Sequence, residues 1–362
     1  MKSGVSIVIP TWNGIALLKR FLPSVRVAAD AYMRQSSAHV EIVVVDDGST
    51  DETCSWLVEQ GYEEIASNLE TSNLQTSNLK YEISELSLRL LKNEKNLGFA
   101  KTCNRGVKAA SHNLIFLLNN DVEPDAASIA PLVENFRTPT VFAAHCRVIE
   151  LESGEECGTG KIGGFGRGFF RVHQSYIPRS SSLPREPLYS IFAGGGSAMF
   201  DKERFLQLGG FDELLSPFYW EDVELSYRAW KRGFEVLYEP RSVARHRISS
   251  TIRKLKRRRV RMIEQRNRLL FHWINLHDKP MLASHVAWVM LLALTALLRF
   301  KPGFIMSLAA ALKLLPETRE RRGQEKQAAR LSDRDVIRVF KELAARPDVI
   351  TYNRRAEIDN GG

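Results

Sequence analysis

Residues 5–14 read VSIVIPTWNG: an apolar, mostly β-branched run that stops at Pro10 and gives way to Thr11, Trp12, Asn13 and Gly14. Such a run alternates little, which suits a strand buried on both faces of a parallel sheet. Residues 42–50 (IVVVDDGST) and 117–121 (LLNND) repeat the pattern, each ending in acids, amides or hydroxyls. Helical stretches are expected at 15–29, 52–60 and 98–110. Strands that alternate with helices predict an open α/β sheet, and such a sheet binds ligands outside the carboxyl ends of its strands. A fourth segment, 220–222 (WED), opens a helix expected at 221–232.

The rest of the chain is less regular. Residues 67–79 carry Ser-Asn-Leu three times at a period of five, which fits neither helix nor strand, so 67–80 reads as a low-complexity surface insertion. Short strands are expected at 88–91, 141–148 and 235–238, a helix at 201–208, and a further helix starting at Pro124 and Asp125. The glycine-rich stretch 153–171 reads as a mobile loop. Residues 191–200 read as a strand interrupted by Gly194, Gly195 and Gly196, where backbone must approach something closely. Beyond His246 a basic helix at about 251–270 leads into apolar stretches at 281–300 and 303–315. A charged tail follows, with an amphipathic helix near 332–345.

The 362 residues, 44% of them hydrophobic, suffice for one large α/β domain with an appendage. The expected division is 1–250 for the sheet domain, 251–316 for a basic and apolar helical region that associates with a membrane, and 317–362 for the charged helical tail. Four scattered cysteines without metal-ligand spacing read as reduced thiols of a cytosolic protein. No signal peptide is expected, because Pro10 cuts the first apolar run short. The net charge of +9 is local: residues 241–270 hold twelve Lys and Arg against Glu264 alone, a balance of +11, so the remainder is −2. A local basic patch calls for a local anionic partner, such as phosphate, anionic lipid or nucleic acid.

The strand ends carry the candidate chemistry, and each has a plainer reading. Asp46 and Asp47 can accept hydrogen bonds from a base or a ribose hydroxyl, yet Asp47-Gly48 is also a common turn. Asn96 to Ala100 opens a helix whose free N–H groups favour an anion or polar base edge; alternatively it is a glycine helix start with core Leu97 and Phe99. Asp121 offers an oxygen ligand to a hard cation, and one carboxylate suffices where a pyrophosphate supplies the others; it also suits a capped turn. Glu221 and Asp222 follow three aromatics, Phe218, Tyr219 and Trp220. Desolvation there raises a carboxylate's pKa and makes it a better general base, whereas the plainer reading is dipole stabilisation at a helix start. His246, between Arg245 and Arg247, supplies an imidazole to a metal or is simply a surface histidine.

Taken together and in order, VSIVIPTWNG, VVVDDGSTD, NEKNLGFAKTCNRG, LLNNDVEP, GGGSAMF, GGFDELLSPFYWEDVELSYRAWKRGF and the late His246 resemble the family 2 glycosyltransferases of the GT-A fold. The likeness is to the rhamnosyltransferase-like, O-antigen and cell-wall branch, and spans roughly residues 4–275. It implies a Rossmann-like, mostly parallel nucleotide-binding sheet flanked by helices, and an inverting transfer from a nucleotide-diphosphate sugar to a saccharide or lipid-linked saccharide. It further implies that Pro10, Thr11, Asn13, Asp46, Asp47, Asn96, Gly98, Lys101 and Asn120 contact the nucleotide. Asp121 and His246 hold Mg²⁺ or Mn²⁺, and Asp222 is the base with Glu221 beside it. Gly194, Gly195, Gly196, Ser197 and Trp220 line the donor and acceptor pocket. The departure is residues 119–121, where many relatives carry a further Asp.

This reading expects a peripheral protein on the cytoplasmic face of the cell membrane, with its basic and apolar helices toward anionic lipid; the alternatives for 251–315 are a short helical hairpin in the bilayer and a helical cap packed on the sheet domain. Nucleic acid is not an expected partner, since the basic run lacks interleaved aromatics. A nucleotidyltransferase would place a glycine-rich loop bearing Lys or Arg after the first strand, where Pro10 to Gly14 stand instead. A non-catalytic binding or scaffold protein would have no need of Asp121, Asp222 and His246 together.

Overall fold

The computed structural model describes residues 4–65, 86–180, 187–247 and 257–353. The expected insertion at 67–80 and the expected first turn of the basic helix lie outside them.

The chain runs β1 (Val5–Thr11), α1 (Ile15–Ser36), β2 (Val40–Asp46), α2 (Thr53–Glu59), β3 (Glu63–Ile65), β4 (Ser87–Lys92), α3 (Phe99–Ala109), β5 (Leu114–Leu118), β6 (Val122–Pro124) and α4 (Ile129–Asn135). It continues through β7 (Val141–Glu150), β8 (Glu156–Gly158), β9 (Gly160–Gly166), β10 (Phe169–Pro178), β11 (Ser197–Asp201), α5 (Lys202–Gln207), α6 (Glu221–Lys231) and β12 (Glu235–His246). Five helices and a strand complete it: α7 (Arg257–Asn275), α8 (Lys279–Leu298), α9 (Pro302–Leu312), α10 (Leu315–Ala328), α11 (Asp333–Ala344) and β13 (Val349–Tyr352).

The main sheet has the order β3-β4-β2-β1-β5-β11-β7-β12-β6, with β8 on the side of β7. β3, β4, β2, β1 and β5 are all parallel, and register sets Thr11 beside Asp46 and Asp46 beside Lys92. The polar ends of β1 and β2 therefore share one edge. Strands are added on one side of β1 up to β4 and on the other from β5 onward, which makes the carboxyl end of β1 a topological switch point. Successive residues of β1 serve opposite layers: Val8 packs toward Cys103 and Val107 of α3, while Ile7 and Ile9 join Leu18, Leu22 and Val25 of α1. Both faces are covered, which is why the strand reads as an unbroken apolar run. Gly106 permits the close approach of α3, since a Cβ there would lie 2.5 Å from Val8 Cγ1.

Three expectations give way. The strand expected over 191–200 begins only at Ser197, as β11, and the glycines before it lie in the loop leading in. No helix starts at Pro124; residues 122–124 form β6, pairing antiparallel with β12, and the helix begins at Ile129. A proline is tolerated there because β6 is the last strand of the sheet. The 153–171 stretch is not a mobile loop. It contains β8 and β9, and β9 forms a hairpin with β10 in a second sheet of order β13-β10-β9. Its glycines serve close packing: a Cβ on Gly160 would stand 2.1 Å from the Tyr176 ring, and one on Gly163 would stand 2.7 Å from Phe170.

The C-terminal stretch folds back onto the sheet domain. Ser332 and Asp335 form a capping box at the start of α11, whose Val336, Phe340 and Leu343 are buried in the same core as Trp230. The buried Asp333 carboxylate accepts hydrogen bonds from Tyr227, from Lys231 and from the backbone N–H groups of His277 and Asp278. The helix α8 behaves differently: only His285 is buried, while Met290, Leu294, Leu297 and Leu298 are exposed.

Candidate active site

Loops after β1 and β2 are stitched to each other at the switch point. Thr11 Oγ1 accepts from Asn120 Nδ2 at 2.8 Å, joining the ends of β1 and β5. Asn13, at a left-handed φ of 47°, accepts from the Thr50 N–H at 2.8 Å, and its own N–H donates to Ser49 Oγ at 2.7 Å. Pro10 is buried beneath this edge and Trp12 stands exposed above it. Asp46 Oδ2 accepts from the Ser49 N–H at 2.9 Å, while its buried Oδ1 has no hydrogen-bond donor. Buried acceptors are rarely left so, which marks this oxygen as a place for a ligand donor.

Asp47 is differently employed. Its Oδ1 accepts from Asn93 Nδ2 at 2.8 Å and the Leu97 N–H at 2.7 Å, and its Oδ2 accepts from the Gly98 N–H at 3.0 Å. Of the two acids, Asp46 keeps an open oxygen and Asp47 holds the loop that starts α3. That loop exposes Asn96 and sets Gly98 at a φ of 86°; Lys101, one turn into α3, is exposed and pairs with Glu213 at 3.7 Å. Asn93 was not among the residues expected here, and only its place just after β4 hinted at it.

Asp121 and His246 meet across the β6–β12 pairing. His246 Nε2 lies 3.2 Å from Asp121 Oδ1. Burial lowers the pKa of this imidazole, but hydrogen bonds and charge from Asp121 and Cys157 more than offset it, leaving it raised to about 9. A carboxylate and an imidazole, both reaching the edge that carries Asn120, fit a divalent ion as two of its ligands. Among the described residues no group of three His, Cys, Asp or Glu forms a fuller cage. Remaining positions would fall to oxygens of a bound diphosphate, the usual arrangement for a hard cation.

The acids of α6 face the glycine loop. Asp222 is partly exposed; its Oδ1 accepts from the Val223 N–H at 2.8 Å, and the Gly195 N–H also points to the carboxylate. Gly196 in turn presents its carbonyl to the Asn119 N–H at 2.9 Å, and a Cβ on Gly196 would collide with the Asn119 side chain. The segment Gly194 to Ser197 thus bridges the end of β5 to the start of α6. Glu221 is buried and its Oε2 lacks a hydrogen-bond donor. Burial and then the charge of Asp222 push Glu221 up to about 8; burial pushes Asp222 up to about 6 against its backbone hydrogen bonds. Near neutral pH the two share about one proton, and their titration belongs to the pair.

The chain reaches this acid pair through a strained turn. Tyr219 and Trp220 have φ values of 72° and 76°. Trp220 packs on Phe271 of α7 (5.2 Å between ring centroids) and under the Arg268 guanidinium (5.9 Å). The fully buried Asn267 of α7 donates from Nδ2 to the carbonyls of Leu215 (2.5 Å), Phe218 (3.0 Å) and Tyr219 (2.9 Å). Nothing in the local sequence pairs Asn267 with a turn almost fifty residues upstream.

Residues 6–207, more than half of the chain, match glycosyl transferase family 2. The chain belongs to that family. A pre-mycofactocin glycosyltransferase of Mycobacterium tuberculosis is 24% identical over 243 residues, covering 67% of this family 2 chain and 42% of that protein. An O-antigen chain rhamnosyltransferase of Salmonella typhimurium is 23% identical over 252 residues, covering 69% of this chain and 68% of the relative. Among solved structures, GalNAc-T7 with UDP, GalNAc and Mn²⁺ superposes with a TM-score of 0.53 at 20% identity, over 75% of this chain and 48% of that one. At such identity the likeness establishes the GT-A type of fold and no more. The chain spans about two-fifths of the first curated relative it matches.

Proposed function

We propose that this protein is an inverting glycosyltransferase that moves a sugar from a nucleotide-diphosphate sugar to a hydroxyl of a saccharide or lipid-linked saccharide in cell-envelope polysaccharide synthesis. The observation that carries the reading is the Glu221–Asp222 pair set against Gly195, on the loop bridging β5 and α6. A carboxylate whose pKa lies near the working pH is suited to take the proton of an attacking hydroxyl. Asp222, the partly exposed member, takes that role; burial raises its basicity, and Glu221 beneath it, pushed higher still, keeps the shared proton. Thr11, Asn13, Asp46, Asn96, Gly98 and Asn120 hold the nucleotide along the strand ends. Gly194 to Ser197 lets backbone approach the sugar without side-chain obstruction. Attack from the face opposite the leaving diphosphate inverts the anomeric carbon.

Asp121 and His246 would hold the divalent ion. When bound, it would offset the charge that develops on the leaving diphosphate. One imidazole ligand favours Mn²⁺ over Mg²⁺, which prefers all-oxygen sites; the GalNAc-T7 neighbour also carries Mn²⁺. The cell-envelope assignment draws on the O-antigen rhamnosyltransferase among the relatives.

A membrane-associating role for the helices after 256 belongs to the same reading. α8 is long and apolar enough to cross a membrane, with a mean hydropathy of 2.0. Its packing favours lying in the plane of the interface instead: His285 bonds the Gly168 carbonyl at 2.8 Å and Trp288 abuts Gly168, so one side is held to the protein. Arg257, Arg258, Arg259 and Arg261 are exposed at the start of α7, and Arg258 reaches Met306 of α9 at 3.5 Å. Cationic and apolar surfaces are therefore contiguous, which suits the anionic cytoplasmic leaflet.

The deciding experiment incubates the protein with a panel of nucleotide-diphosphate sugars, Mn²⁺ and saccharide acceptors, and reads the product by NMR. Product of opposite anomeric configuration to the donor is expected; retained configuration would overturn the single-displacement reading. Turnover unaffected by Asp222→Asn would instead favour a scaffold or binding role for the acid pair.

A further inference from the structure

We propose that Asn267 is the positioning residue of the acid pair: a single side-chain amide on α7 holds the turn that aims Asp222. This rests on the base assignment above and adds to it a residue outside the matched segment 6–207.

Tyr219 and Trp220 are consecutive L-residues in the left-handed region, with φ of 72° and 76°. That region is unfavourable for an L-residue, and such a residue persists there only where its surroundings impose it. The Trp220 position is also the N-cap of α6, and it makes no side-chain capping bond. The turn supplies little of its own stabilisation; α7 supplies it from outside. The orientation of the Asn267 amide is fixed chemically. Its Oδ1 accepts from Arg266 Nε at 2.9 Å and Nη2 at 2.7 Å, so its Nδ2 must face the three carbonyls. Two N–H bonds shared among three acceptors make a bifurcated clamp. Arg266 Nη2 also donates to the Ser216 carbonyl, extending the clamp to the start of the turn. The packing of Trp220 on Phe271 covers the remaining side. One helix face thus holds residues 215–220 through carbonyls, and the next two residues are the acids.

Asn267, with Arg266 and Phe271 beside it on α7, accounts for the start of α6 from that strained pair. The clamp reads backbone only, so it tolerates changes in the turn's own side chains. The same helix carries the basic residues at its other end, which ties the geometry of the acid pair to the helical region that follows the sheet domain.

The test compares Asn267→Leu, which keeps the volume and removes both donors, with Asn267→Gln and Arg266→Gln. Three readouts are taken: thermal unfolding, nucleoside-diphosphate affinity with Mn²⁺, and steady-state transfer. A positioning role predicts a folded Asn267→Leu protein with unchanged nucleotide affinity and kcat lower by about 10–100-fold, the equivalent of one to two lost hydrogen bonds. The acid limb of its pH–rate profile should also move, because the surroundings of the pair change. Asn267→Gln should recover part of the rate, and Arg266→Gln should lose less than Asn267→Leu. Backbone hydrogen exchange in 215–222 should quicken in Asn267→Leu whatever the identity of the base, so failure of the base assignment and failure of the clamp are distinguishable. If Asn267→Leu does not fold, Arg266→Gln and Asn267→Gln carry the test. Normal kcat with quickened exchange, or nucleotide affinity falling in step with kcat, overturns the proposal.

Discussion

The Asn120 amide donates to the Thr11 hydroxyl at 2.8 Å, and this one bond ties the ends of two neighbouring parallel strands at the switch point of the sheet. A neutral pair at an edge contributes about 0.5–1.5 kcal/mol net. Its larger effect is to fix the distance between the loop after β1 and Asp121, the residue that follows Asn120. Thr11→Val should lower stability by no more than about 1.5 kcal/mol in urea denaturation while weakening nucleoside-diphosphate binding measured by calorimetry.

The acid pair gives the activity a pH signature. The transfer rate should rise as pH increases through the window from about 6 to about 8, the values to which Asp222 and Glu221 are pushed. Asp222→Asn should cost about 10²–10⁴-fold in kcat with nucleotide affinity retained. The stability effect has the opposite sign. Carboxylates with raised folded-state pKa values stabilise below the unfolded pKa, and that contribution is lost as pH rises through the folded values. Glu221→Gln should therefore gain stability relative to the wild type between pH 5 and pH 9, seen in melts across that range.

Removing either proposed metal ligand should abolish metal-assisted nucleotide binding. Wild-type calorimetry with a nucleoside diphosphate should show tighter binding when Mn²⁺ is present. Asp121→Ala and His246→Ala should bind nucleotide weakly and equally with and without the ion; a preserved Mn²⁺ effect in both would dismiss the pair as ligands.

Membrane attachment is tested on residues far from the acids. Met290→Glu with Leu294→Glu places two charges on the exposed face of α8 and should abolish flotation with phosphatidylglycerol vesicles while transfer to a soluble acceptor continues. Burial of each such side chain is worth about 1.5–3 kcal/mol, so two charges there suffice. Replacing Arg257, Arg258 and Arg259 with Gln should leave binding at low salt but make it fail at lower ionic strength than the wild type.

Much of the sheet was legible because β1, β2 and β5 are covered on both faces, and unbroken apolar runs with polar ends are what such strands require. The amphipathic α11 was equally plain from the spacing of its apolar residues. The second sheet was not. Gly160 and Gly163 look like loop residues until Tyr176 and Phe170 are seen across the strands, and that partnership is non-local. The same holds at the site: residues 220–222 could be singled out, but the left-handed backbone that presents them depends on Asn267. The division of labour between Asp46 and Asp47 was hidden too, since it turns on which carboxylate the 97–98 amides claim. Gly160→Ala offers a check on the second sheet: overpacking against Tyr176 should cost about 1–3 kcal/mol in chemical denaturation.

One buried carboxylate has a bearing on how this protein can be taken apart. Asp333 gathers a tyrosine, a lysine and two backbone amides from α6 and from the turn between α7 and α8. Cutting the polypeptide after β12, or grafting residues up to His246 onto a foreign C-terminus, would strand the Lys231 ammonium and the Tyr227 hydroxyl in an apolar interior and uncover Trp230. The sheet domain is thus no free-standing cassette: exchange between relatives has to carry the distant C-terminal helix along with it.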